Sequence, residues 1–249
     1  MEILLIAILI NAVISIYTLY KIIKIHLANY QIEKNTNELH GFFSQIQAYH
    51  SLFLLLKFSK PLPPLRGWAA SPDFLLIICS YALSEKPKII LECSSGASTI
   101  ALARSCQLSK IGHVFSLEHD SNYAEKTRNH LKEHELDKWA TVIDAPLVIN
   151  PKLKNQLWYS LEHLDLQDNS VEFLVIDGPP QLPSAPMARY PAIPLLETKL
   201  TRNCTIILDD ANRKAEIAIL NRWLIEYPEF KLVMLQAEKG CARLDRISG

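Results

Sequence analysis

The chain opens on a run without charge. From residue 3 to residue 20 only Asn11, Ser15 and Thr18 interrupt apolar or aromatic positions, and Ile22 and Ile23 extend the run. As one helix it is long enough to cross the roughly 30 Å hydrocarbon core of a bilayer. A cleaved leader fits less well, because Glu2 replaces a basic start and no small-x-small cleavage site follows. The pattern then changes. Leu39, Phe42, Phe43, Ile46, Tyr49 and Phe53 recur at helical spacing and predict an amphipathic helix. Its stripe would pack on the following domain, on the membrane or on a second copy in a homo-oligomer; packing on the domain is the simplest of these. Pro61, Pro63 and Pro64 break the helix. The expected division is a transmembrane helix over 1–24, an amphipathic linker over 25–61 and a catalytic domain over 62–249. Arg66 and Trp68 follow the prolines, where a linker residue could touch ligand or simply pack.

Beyond the prolines, short apolar runs alternate with helical patterns. Ser71, Pro72 and Asp73 read as a helix start, with the helix continuing to about residue 83. Apolar runs at 89–91, 113–117, 141–143, 171–176 and 204–208 predict five buried parallel strands, the first three of them separated by helices. Each run leads into an acid: Glu92, then Glu118 with His119 and Asp120, then Asp144 beside Ala145, then Asp177, then Asp209 and Asp210. Acids often end strands and cap helices, but five in succession place polar chemistry on one edge of the sheet. A helix over 213–227 and strands over 230–236 and 241–247 complete the pattern. So short a connection joins the final two strands as an antiparallel hairpin.

The loop after the first strand is built of small residues: Ser94, Ser95, Gly96, Ala97 and Ser98. Such residues let a ligand approach the backbone, and a helix beginning there offers free N–H groups to an anionic group. The 26 basic and 26 acidic residues leave no net charge, and no basic bias points to nucleic acid. Five cysteines without a C-x-x-C pair read as buried thiols in a reducing compartment. Lys21 and Lys24 follow the apolar run, which by the positive-inside rule places the rest of the chain in the cytoplasm.

The order ECSSGAST, SLEHD, IDAP, VIDGPP and ILDD, closed by a terminal hairpin, resembles the class I S-adenosylmethionine-dependent methyltransferases. The longer run RGWAASPDF, WY, ARYPAIPLL and LDDANR is similar to a bacterial methyltransferase-like subgroup with no assigned acceptor. The resemblance implies an α/β, Rossmann-like seven-stranded sheet in the order 3-2-1-4-5-7-6, with strand 7 antiparallel. It implies S-adenosylmethionine as cofactor, with the Glu92, Ser94, Ser95, Gly96 and Ser98 loop around its methionine part, Glu118 and His119 at its ribose and Asp144 and Ala145 at its adenine. An ionised carboxylate is an acceptor-only group suited to a vicinal diol. The family's alternating glycines are here Ser94, Gly96 and Ser98, and a serine forced to positive φ costs about 1 kcal/mol or more.

Asp177, Asp209 and Asp210 are the candidates for catalytic work, because methyl transfer to a hydroxyl needs a base when the acceptor must lose its proton. Their order is similar to that of divalent-metal-dependent O-methyltransferases, and three hard oxygen ligands would suit Mg²⁺, Mn²⁺ or Ca²⁺. Adjacent strand residues face opposite ways, so both aspartates converge only where the strand has ended. On the acceptor side, Trp158 and Tyr159 could stack on a ring and Arg189 could meet an anion. The IDGP element is similar to that of enzymes that methylate acidic sugars. The expected activity is therefore O-methylation of a small-molecule or glycan-like acceptor by a membrane-anchored enzyme. A non-catalytic, membrane-tethered interaction protein with a degenerate fold is the alternative. A nicotinamide-type nucleotide enzyme is the third reading, and the missing third glycine and the terminal hairpin speak against it.

Overall fold

The computed structural model describes residues 1–65, 67–153, 156–181 and 185–247, so Arg66 lies outside the described residues. The chain forms two compact units, Met1–Ile46 and Gln47–Gly249. Helix α1 runs over Glu2–Leu56, and its N-terminal part is long and apolar enough to cross a membrane. Within the first unit Leu39, Phe42, Phe43 and Ile46 are exposed. The residues of α1 that are buried are Ala48, Leu52 and Leu56, spaced four apart on another side of the helix.

The second unit begins ahead of the boundary that the prolines suggest. Leu52, Leu56, Phe58 and Leu62 join its core beside Phe74, Ile78 and Ile100. The carbonyls of Leu56 and Lys57 at the end of α1 accept hydrogen bonds from Arg104 at 2.8 and 2.9 Å. A helix end leaves its last carbonyls without intrahelical partners, and Arg104 supplies them.

The main sheet has seven strands: β1 (Ile89–Cys93), β2 (His113–Glu118), β3 (Ala140–Asp144), β6 (Val171–Ile176), β7 (Leu200–Asp209), β8 (Phe230–Leu235) and β9 (Cys241–Arg246). Their order is β3-β2-β1-β6-β7-β9-β8. The first five are parallel to one another, and β9 runs antiparallel to both β7 and β8. The expected sheet is thus present. The pattern did not reveal a separate two-stranded hairpin, β4 (Leu147–Asn150) with β5 (Gln156–Tyr159).

Both faces of the sheet are covered, which is why its strands read as continuous apolar runs. One core holds Ile90, Val114, Phe173, Val175 and Ile207 against α2 (Pro72–Glu85), α3 (Ala97–Ser109) and α4 (Ser121–Glu133). The other holds Leu91, Leu117, Leu174, Ile176 and Leu208 against the hairpin, the short α5 (Ala192–Leu196) and α6 (Lys214–Glu226). Alternate residues of one strand thus serve opposite cores.

Candidate active site at the carboxyl ends of the strands

The backbone turns sharply after β1. Ser94 has φ +136°, Gly96 has φ +145°, and α3 starts at Ala97. The serine adopts the positive φ that the sequence comparison made doubtful, so it stores strain that a glycine would not. A Cβ built on Gly96 meets nothing within 4 Å, which leaves open space above the middle of the loop. Glu92 is not at this mouth. It lies inside β1, fully buried, and its Oε2 accepts hydrogen bonds of 2.6 Å from both Thr99 and Ser116. Thr99 in turn accepts from the Gly96 N–H at 3.1 Å, so Glu92 fastens the start of α3 to the sheet. Its Oε1 is buried with no partner among the described residues. Ser98 is buried in the first turn of α3.

At the end of β2, Glu118 is almost fully buried, and both its oxygens are engaged. Oε2 accepts from the N–H and hydroxyl of Ser95 at 3.0 and 2.9 Å, and Oε1 accepts from the Asp120 N–H at 3.0 Å and lies 3.0 Å from His119 Nδ1. Ser95 therefore ties the loop to the acid expected at the ribose. Asp144 is half-exposed and pairs with Arg128 at 2.5 Å, while Ala145 is buried and donates its N–H to the Glu118 carbonyl at 2.7 Å. These residues come together beside the loop as expected.

The hairpin places Trp158 and Tyr159 differently from the expectation. Both are buried, with ring centroids 5.1 Å apart, and Tyr159 stands 6.2 Å from the His119 ring. The Tyr159 hydroxyl packs so closely on Gly178 that a Cβ there would collide with it; the same Cβ would lie 3.1 Å from the Cys93 carbonyl and 3.3 Å from Ser94 Cβ. Neither ring is presented to solvent as an open stacking surface. Each belongs to the packing around the loop.

Asp177, Asp209 and Asp210 converge, with one carboxylate oxygen of each within 4.8 Å of the others. They do so because β7 ends at Asp209 and Asp210 takes φ +59°, which turns its side chain back. Arg189 lies among them. Its Nη2 is 2.9 Å from Asp210 Oδ2 and 3.4 Å from Asp177 Oδ1, and it also donates to the Asp177 carbonyl at 2.8 Å. Its Nη1 donates to the Asp209 carbonyl at 2.9 Å and lies 3.7 Å from Glu216 Oε1. Arg189 is buried and held by acids, rather than turned outward to an anionic acceptor.

Residues 91–211 match the family model described as a methyltransferase domain. The solved structures agree at the level of fold. A methyltransferase from Geobacter sulfurreducens shares 16% identity with a TM-score of 0.53, covering 71% of this chain and 79% of its own. The fold is thereby decided. Its sheet has the order of a Rossmann-like methyltransferase, and residues 91–211 are similar to a methyltransferase domain. An O-methyltransferase from Bacillus cereus in complex with SAH shares 20% identity with a TM-score of 0.53, covering 80% of this chain and 90% of its own. An SAH-bound methyltransferase from Podospora anserina shares 15% identity with a TM-score of 0.54, covering 80% and 88%. No curated protein matches the sequence.

The electrostatics of the site differ between its two halves. Burial would raise the Glu118 carboxyl, but hydrogen bonds from His119, Asp120 and Ser95 outweigh it and hold the group below its ordinary range. His119 is raised by its bond to Glu118. In the acid cluster burial prevails: Asp177 is pushed well above the carboxylate range, and Asp209 is raised to about 6 by burial and by Asp210 beside it. Sequence reasoning missed Glu216. It is buried on the same helical stripe as Ile219, Leu220 and Trp223, and an acid on an apolar stripe is a signal that was available. Ser95 is expected in the loop around the methionine part, and its bonds to Glu118 join residues too distant in sequence to leave a local pattern.

Proposed function

We propose that this chain is a membrane-anchored, S-adenosylmethionine-dependent methyltransferase that methylates a hydroxyl of a small-molecule or glycan-like acceptor, with its domain on the cytoplasmic side. One observation carries the reading. The small-residue loop opens α3 beside a buried carboxylate, Glu118, with open space above Gly96. The donor and acceptor groups present suit the cofactor. Glu118 accepts from hydroxyls, the backbone at Gly96 and Ser98 can approach the methionine part, and Asp144 and Ala145 border the adenine side. Bound there, the sulfonium cofactor supplies an electrophilic methyl group for in-line displacement. SAH in the solved structures from Bacillus cereus and Podospora anserina supports the same choice.

Asp177 is the residue placed to take the acceptor's proton. Its N–H bonds the Cys93 carbonyl at 3.2 Å, which sets it beside the loop. Burial raises its affinity for a proton, as a base working on a hydroxyl requires. The anchor reading is supported by the long exposed apolar part of α1, with Lys21 and Lys24 after the run. A cofactor-free reading is favoured by a different observation, the Ser95 bonds that already satisfy Glu118.

Calorimetric titration of the full chain in detergent with S-adenosylmethionine and S-adenosylhomocysteine separates the two. Micromolar binding that Glu118→Ala removes is expected. Absence of binding by folded protein would leave the cofactor-free reading. Acceptor screening and a reporter fused beyond α1 then test the acceptor class and the orientation.

A further inference from the structure

The three carboxylates of Asp177, Asp209 and Asp210 have the oxygen chemistry and spacing that a hard divalent ion uses, yet the position they surround already holds a cation. We infer that Arg189 is a built-in cation standing where related sites would hold a divalent metal, so that the cluster is complete without metal and binds none while Arg189 is in place. The inference is independent of whether the domain transfers methyl groups.

The geometry carries it. A planar guanidinium offers several donors in a fixed fork, and here one fork reaches the side chains of Asp177 and Asp210 and the carbonyls of Asp177 and Asp209 together. Two of the three carboxylates a divalent ion would need are thus taken, and the backbone of the third, Asp209, is held by the same fork. A metal ion among them would stand beside a buried like charge, with Asp177 Oδ1 and Asp210 Oδ2 already bonded and the buried Oδ1 of Asp209 and of Asp210 left without a partner among the described residues. The side chain is 5% exposed and has no solvent into which to withdraw.

Arg189 is also fixed from behind. Its carbonyl accepts the Ala192 N–H at 3.2 Å, and the neighbouring Tyr190 is pinned to α6 by its carbonyl, which accepts Trp223 Nε1 at 3.0 Å, and by its hydroxyl, which donates to Glu226 at 2.6 Å. The fourth acid, Glu216, approaches Nη1 at 3.7 Å from the first turn of α6. A fixed internal cation surrounded by four acids is a different device from an open three-acid metal site.

The test is Mn²⁺ binding to the full chain in detergent, read by electron paramagnetic resonance, together with thermal unfolding in the presence of Mn²⁺, Ca²⁺, Mg²⁺ or a chelator. The wild type is expected to bind no stoichiometric Mn²⁺ and to keep its Tm in all four conditions. Arg189→Ala is expected to lower Tm, to gain at least about tenfold in Mn²⁺ affinity and to recover Tm when metal is added, as binding to the folded state requires. Adding Asp209→Asn to Arg189→Ala should abolish that gain. Arg189→Lys, which keeps a buried cation and preserves the test if Arg189→Ala fails to fold, should still bind no metal. Stoichiometric Mn²⁺ on the wild type that Asp210→Asn removes would overturn the inference, and so would a folded Arg189→Ala with no gain in affinity.

Discussion

Ser94 holds a backbone conformation that a serine adopts only under constraint, with φ +136° and its N–H bonded to the Leu117 carbonyl at 3.1 Å. Ser94→Gly relieves strain of about 1–3 kcal/mol and forfeits about 0.5–1 kcal/mol of chain entropy, so a net gain of about 1 kcal/mol is expected. For a domain of this size thermal unfolding should shift upward by about 2–4 °C. Tyr159 and Gly178 give the converse case. Gly178→Ala places a methyl against the Tyr159 hydroxyl and should destabilise by about 1–3 kcal/mol. Tyr159→Phe should relieve that loss, and alone it should be neutral or slightly stabilising, because the buried hydroxyl has no partner among the described residues. Chemical denaturation of the two single variants and the double variant checks both statements.

Asp209 gives a pH dependence with a definite sign. Its folded value, about 6, lies above its ordinary 3.8, so the folded state holds a proton that the unfolded state has released. The contribution is present below the lower value, falls as pH rises between the two and is constant above about 6. Asp209→Asn removes the titration. Its stability relative to wild type should therefore increase from about pH 4 to about pH 6 and then level off. Unfolding curves across that range would detect it, and a difference that stays flat with pH would refute it.

At the scale of elements, legibility followed how local the signal was. The five parallel strands and the terminal hairpin were visible because both sheet faces are buried and each strand is a short apolar run. The β4–β5 hairpin was not, because its strands are four residues each and Pro151 interrupts the segment between them. Trp158 and Tyr159 therefore looked like residues free to meet a substrate. The Asp209–Asp210 convergence was legible only as a condition, since no local pattern states that Asp210 turns to positive φ. Arg189 stands out in the sequence, but its partners lie just beyond β6 and β7 and on α6, and contacts so distant in sequence leave no spacing to read.

At the end of α1, within the second unit, the buried face is Ala48, Leu52 and Leu56, which is less conspicuous in the sequence than the aromatic positions beside it. A chain starting at Gln47 keeps Leu52, Leu56, Phe58 and Leu62 and should unfold cooperatively. A chain starting at residue 63 loses all four. Each buried side chain of this kind contributes about 1.5–3 kcal/mol, so the shorter chain should be less stable by several kcal/mol, as its denaturation midpoint would show.

For the molecule as a whole, the sheet order matters more than any single strand. β9 lies inside the sheet between β7 and β8, although every other strand precedes it along the chain. The turn before it holds the loop that follows the acid cluster: the N–H groups of Ala211 and Asn212 bond the Gly240 and Lys239 carbonyls at 3.0 and 3.1 Å. Gly240, at φ +78°, sits so close to Asn212 that a side chain there would collide. This order of insertion sets a timetable for biosynthesis. While the ribosome still shields residues 241–246 and the turn before them, β7 has no neighbour on that side and the loop after Asp210 lacks its bonds to the Gly240 and Lys239 carbonyls. A nascent chain arrested before Cys241 should accordingly remain open to protease around residues 209–213, and release of the next few residues should close that window at once.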